Sequence, residues 1–116
     1  MAESAIEVER PTGDTDVVDV EARHRYEIRV DGGTVGFAEY HRRAGGSTVS
    51  FTHTSVDDAH TGQGLAGRLA RAALDDARAH GLAVLPFCPY IRGWIAKHLE
   101  YVDLVPEERR AEFELA

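Results

Sequence analysis

The residues best suited to chemistry lie in two short stretches. The first is Val56-Asp57-Asp58-Ala59-His60-Thr61-Gly62-Gln63-Gly64-Leu65-Ala66-Gly67, which joins a β-branched run to a long helical one. Glycines at a helix entrance let a bulky anion approach the main chain, where free N–H groups and the positive end of the helix dipole meet it. Phosphate or pyrophosphate is the natural ligand of such a turn. The second stretch is Pro86-Phe87-Cys88-Pro89-Tyr90. Pro89 is suited to the first position of a helix, which would make Cys88 its N-cap, where the dipole favours a thiolate. Tyr90 then falls in the first turn, and His53, on the strand before the glycine turn, is chemically suited to general-base work near neutral pH.

The elements that must position these groups follow from periodicity. Val17–Val20 and Arg25–Val30 alternate as one strand or two short ones, and Asp31-Gly32-Gly33 is a hairpin signal. Thr34–Arg42 reads as the partner strand, Ala44-Gly45-Gly46-Ser47 as a second turn, and Thr48–Val56 as the third strand of an antiparallel meander. From Gly64 the period changes. Leu65, Leu69, Ala73 and Ala77 form a helical stripe that ends at His80-Gly81. Leu82–Phe87, almost wholly apolar, is expected as a strand buried on both faces, followed by a helix from Pro89 to about His98. Pro106–Phe113 is expected as a short exposed helix. The order predicts an α/β (α+β) domain over 17–105, with an acidic flexible tail at 1–16 and a C-terminal extension at 106–116.

Composition removes several classes. The net charge of −7 is concentrated in residues 1–22, where seven acids face Arg10 alone, and the remainder carries about −1. No basic stripe exists to displace phosphate counterions, so nucleic acid is not an expected partner. No apolar run approaches the ~20 residues of a membrane span, and the acidic N-terminus lacks the features of a signal peptide. One cysteine allows no internal disulfide, and a cytoplasmic location is expected. The histidines are too scattered for a metal centre.

The glycine turn admits several ligands. Gly62-Gln63-Gly64-Leu65-Ala66-Gly67 fits the dinucleotide pattern G-x-G-x-x-G, but five residues separate Val56 from Gly62 and no acid ends the following strand to bind ribose. A P-loop is excluded because no Gly-Lys-Ser/Thr follows. A tight turn that binds nothing stays open, as does coenzyme A.

Here the residues carry a resemblance. Thr61-Gly62-Gln63-Gly64-Leu65-Ala66-Gly67 resembles the acyl-coenzyme A signature of the GNAT superfamily, with Thr61 standing where Arg or Gln is usual. With His53-Thr54-Ser55-Val56, Pro86–Tyr90 and His98-x2-Tyr101-Val102-Asp103-Leu104-Val105, the chain is similar to a small subfamily of minimal N-acetyltransferases over about Arg25–Val105. The resemblance implies a reduced GNAT fold, acetyl-CoA as cofactor, and pantetheine between splayed strands, Thr48–Val56 and Leu82–Phe87. It also implies that Cys88 faces the cofactor thiol, as acyl acceptor or proton shuttle. Cofactor contacts then fall to Thr54, Ser55 and Val56 and to Thr61 through Gly67. Catalytic duties fall to Cys88, His53 as base and Tyr90 as acid to the leaving thiolate.

Each role has a bland counterpart. Cys88 also suits a buried small hydrophobe, His53 a hydrogen-bonded core histidine, and Tyr90 aromatic packing. By plain alternation His53 shares a face with Phe51 and Val49, and His60 is expected to lie solvated in the loop beside the pyrophosphate. Glu39 and Tyr40 are candidates to line an acceptor groove. The expected activity is acetyl transfer to an amine, on a small molecule or a protein lysine, through a ternary complex; a coenzyme A-binding sensor without transfer is the alternative.

Overall fold

A computed structural model describes residues 6–9, 15–43, 45–60 and 62–116. Six strands form one sheet in chain order: β1 (Ile6–Glu9), β2 (Thr15–Val20), β3 (Arg25–Val30), β4 (Gly33–Arg42), β5 (Thr48–Val56) and β6 (Ala83–Pro86). All neighbours are antiparallel except β5 and β6. A parallel pair requires a crossover, which helix α1 (Leu65–Ala79) supplies, and helix α2 (Pro89–Lys97) follows β6. The β3–β4 turn places Asp31 at φ 52° and Gly32 at φ 83°, the paired positive values of a turn whose twist suits a two-residue hairpin.

Both helices pack on the same face of the sheet. Leu69, Ala73 and Leu74 of α1 join Ile91, Trp94 and Ile95 of α2 in one cluster with Val17, Tyr26, Ile28, Ala38, Tyr40 and Phe51 of the strands. Each large apolar side chain so buried contributes roughly 1.5–3 kcal/mol. The alanines at 70, 73 and 77, all fully buried, let α1 lie close to the strands.

The segment after α2 is tied back to α1. Tyr101 donates to the Asp75 carboxylate at 2.7 Å, and Arg78 forms a two-pronged pair with Asp103 at 2.9 and 3.0 Å. His98 stacks on Trp94 at 3.8 Å. The family-like run from His98 to Val105 is therefore a clamp between α1 and α2.

Three expectations change. Residues 1–16 are not tail throughout: Ile6–Glu9 pairs with β2 through Ile6↔Asp19 and Glu7↔Val18, and β2 itself begins at Thr15. The rest of that stretch, 1–5 and 10–14, lies outside the described residues. Leu82–Phe87 is not covered on both sides; β6 is an edge strand with Val84 and Pro86 buried and Ala83 and Leu85 only half-buried, because among the described residues no helix lies on the second face. Pro106–Phe113 is not a free helix. A single 3-10 turn, Glu107–Arg109, leads to Phe113, which is buried against Phe87 with ring centroids 5.2 Å apart.

Candidate active site

The site is built on a strand that outlives its partner. β6 pairs with β5 only from Thr48↔Ala83 to Phe51↔Pro86, and the last rung is the N–H of Cys88 donating to the Phe51 carbonyl at 2.8 Å. Beyond it the chain turns into α2, so residues 52–56 of β5 keep β4 on one edge and, among the described residues, have no strand on the other. Asp57 donates its N–H to Val35 on β4 at 2.7 Å, and the Ser55 carbonyl also lies toward β4, 2.9 Å from where a Cβ on Gly36 would stand. Strand alternation then points the N–H and C=O of Thr54 and Val56 at the unpaired edge. Ser55 is placed otherwise, with its main chain toward β4.

A bulge resets the faces of β5. Glu39 opposes His53 while Tyr40 opposes Phe51, leaving Thr52 as the extra residue. Phe51 is fully buried under the helices, whereas His53 is exposed on the opposite face, its ring 5.8 Å from that of Phe37. The expected sharing of a face by His53 and Phe51 is thus overturned by one inserted residue. Thr54 and Val56 return to the helix face, and the Thr54 hydroxyl meets the Cys88 thiol at 3.2 Å.

Cys88 is the N-cap of α2 with Pro89 at the first helical position, and it is 2 % exposed. Tyr90 stands one turn into the cleft, 40 % exposed. Burial, with a smaller push from Cys88, raises its phenol above the ordinary tyrosine range, so it keeps its proton. Tyr40 is mostly buried and donates to Asp19 at 2.6 Å, and it lines another cavity together with Glu21, His24, Arg42, Arg43 and Gly45. Glu39 is exposed, beside His53.

The glycine turn opens a cavity of about 250 Å³ at the N-terminus of α1, lined by Val56, His60, Gly62, Gly64, Leu65, Ala66, Gly67 and Tyr90. Gly62 and Gly64 have φ of 82° and 75°, which L side chains rarely adopt, and a Cβ on either would meet open space. Gly64 caps α1 without a side chain, so the first-turn amides of Leu65, Ala66 and Gly67 have no cap hydrogen bond from it. A Cβ on Gly67 would lie 3.5 Å from Trp94 Nε1 and 3.9 Å from the Tyr90 hydroxyl, within the gap between the two helices. Gln63 is exposed and does not line the cavity, and Thr61 lies outside the described residues.

Sequence reasoning missed one contributor and misjudged the burial of another. Gly36 admits no side chain, because a Cβ there would press the Ser55 carbonyl and the Val56 side chain at 2.9 Å each; nothing local in the sequence marks that crowding. His60, expected to be solvated, has its Nδ1 buried without a hydrogen-bond partner among the described residues. A cavity with glycine walls, unfilled helix amides and an unpartnered ring nitrogen fits a diphosphate, and an unpaired strand edge leading from it to Cys88 fits a pantetheine arm. Among the described residues no cluster of three metal-ligating side chains occurs, and no helix is long and apolar enough to cross a membrane.

Comparison with known proteins agrees with this geometry. Protein NATD1 of Xenopus tropicalis is 29 % identical over 98 residues, covering 84 % of this chain and 90 % of the relative. The family model for GCN5-related N-acetyl-transferase matches residues 25–104, from the first residue of β3 to Leu104 within the clamp after α2. The chain, with its reduced sheet and its helix-strand-helix crossover, belongs to the GCN5-related N-acetyltransferase family.

Proposed function

We propose that the chain is an acetyl-CoA-dependent N-acetyltransferase that holds cofactor and amine acceptor together in a ternary complex. The observation that carries this is the unpaired edge of β5, running from the Thr54–Cys88 contact to the glycine cavity. Bound acetyl-CoA supplies its acyl group as a thioester. The first-turn amides of α1, with His60, hold the diphosphate. The main-chain groups of Thr54 and Val56 orient the pantetheine arm by strand-like hydrogen bonds.

The remaining groups serve the acceptor. An ammonium of pKa near ~10.4 must lose a proton before it can attack. His53, exposed on the open face, takes that proton. Tyr90 holds a proton at the cleft for the departing thiolate, and Cys88 with Thr54 flanks the place where that sulfur lies. One observation favours the alternative of a coenzyme A-binding sensor: His53 and Cys88 lie on opposite faces, so they form no nucleophile–base pair.

Thermal-shift and thiol-release measurements with wild type and Cys88→Ala separate these. Acetyl-CoA at a hundred times its Kd should stabilise the fold by about 2.7 kcal/mol. The variant should keep that shift and lose about 100-fold or more in turnover if Cys88 takes part in proton or acyl handling. Unchanged turnover would leave Cys88 a packing residue. Binding by wild type without turnover across an amine panel would select the sensor.

A further inference from the structure

On the face of the sheet opposite the helices, two charged side chains, Glu39 and Arg43, have no ion-pair partner among the described residues, the β3 neighbour of Glu39, Arg25, being engaged by Glu27. Along β4, Phe37, Glu39 and His41 alternate onto that face, opposed by Ser55, His53 and Ser50 of β5. Glu39 makes no carboxylate ion pair among the described residues, and neither does the guanidinium of Arg43 just past the strand. Between β4 and β5 at that hairpin lies a cavity of about 360 Å³, lined by His41, Arg43, Gly46, Ser47, Thr48 and Ser50. Its lining offers one fixed cation, one imidazole and three hydroxyl donors, and no carboxylate. Such a lining suits an anion and repels a second ammonium.

We infer that the acceptor is a zwitterion: an amine with a carboxylate or similar anion on the same molecule. This rests on the acetyltransferase reading, and it names the substrate class of that site. The ammonium sits between Glu39 and His53, where the base stands. The anion lies toward His41 and Arg43, two to four residues along the same strand, which at ~3.3 Å per residue is roughly 7–13 Å away. A polyamine or a neutral-tailed amine fills only half of this arrangement. Arg43 is a specificity-determining residue in this scheme.

The test uses 6-aminohexanoate, hexylamine and 1,6-diaminohexane as probes, each titrated calorimetrically into protein saturated with coenzyme A and each assayed as acceptor for KM. The expected result is that 6-aminohexanoate binds about tenfold or more tighter than hexylamine, with a matching KM ratio, as one charge-assisted contact provides. Arg43→Glu, at an exposed position, should collapse that ratio to about one, and Arg43→Lys should keep most of it. Equal binding of the three probes, or tighter binding of the diamine, overturns the inference while leaving acetyl transfer intact. Failure of coenzyme A itself to bind, read in a preceding titration of coenzyme A into the free protein, would overturn both.

Discussion

Gly67→Ala should move stability and cofactor affinity in opposite directions. Gly67 lies in the first turn of α1 with no positive φ, so alanine is compatible with its backbone. The nearest atom to the new methyl group is Trp94 Nε1 at 3.5 Å, an ordinary contact. Replacing glycine inside a helix gains up to ~1 kcal/mol, somewhat less in the first turn, so about 0.5–1 kcal/mol is expected here. For a domain of this size that raises Tm by roughly 2–6 °C. The same methyl group projects into the gap between α1 and Tyr90, which forms part of the cavity wall. A diphosphate that must reach the helix amides to about 2.9 Å cannot tolerate it, and acetyl-CoA affinity should fall at least tenfold, or ~1.4 kcal/mol. Differential scanning fluorimetry and calorimetric titration give the two numbers on one preparation. A lower Tm would refute the packing argument; a higher Tm with unchanged affinity would show that the ligand does not enter between these helices.

Other expectations concern the scaffold. Gly36→Ala should cost about 1–3 kcal/mol in chemical denaturation, because the Ser55 carbonyl is main chain and must shift; Gly33→Ala, whose Cβ would stand 3.7 Å from the Val30 carbonyl, should cost far less. Glu27, 2 % exposed on the open face, would be pushed up by burial, but hydrogen bonds from Arg29, Arg25 and Thr34 outweigh that and hold its carboxyl below the ordinary glutamate value. Its stabilisation is therefore full above the unfolded pKa of about 4.3 and lost as pH falls through the lower folded value. Glu27→Gln should be less stable at pH 7 and show a flatter decline as the pH falls below about 4.3 in urea titrations.

The sequence announced some of this and concealed the rest for physical reasons. The α1 stripe and the two hairpin turns were legible because each is set by residues within a few positions of one another. The glycine turn was legible because positive φ selects glycine locally. The face on which His53 points was not, since the bulge at Thr52 arises from how β4 and β5 register, and alternation counted from Phe51 assigns the wrong side. Gly36 was hidden for the same reason: its crowding comes from Ser55 and Val56 across the ladder. Acidic Ile6–Glu9 carries no usable pattern and becomes a strand only beside β2. The run holding Tyr101 and Asp103 was visible only as part of a resemblance, and its purpose, bonding to Asp75 and Arg78 on α1, comes from residues 26 and 25 positions away.

The central claim is that the acyl carrier lies along the free edge of β5 with its diphosphate at the mouth of α1. Amide resonances followed during a coenzyme A titration test it most directly. The largest shifts should fall on Thr54, Val56 and Leu65 through Gly67, with Arg25 and Glu27 unmoved. Shifts confined to other residues, or none at saturating coenzyme A, would contradict it.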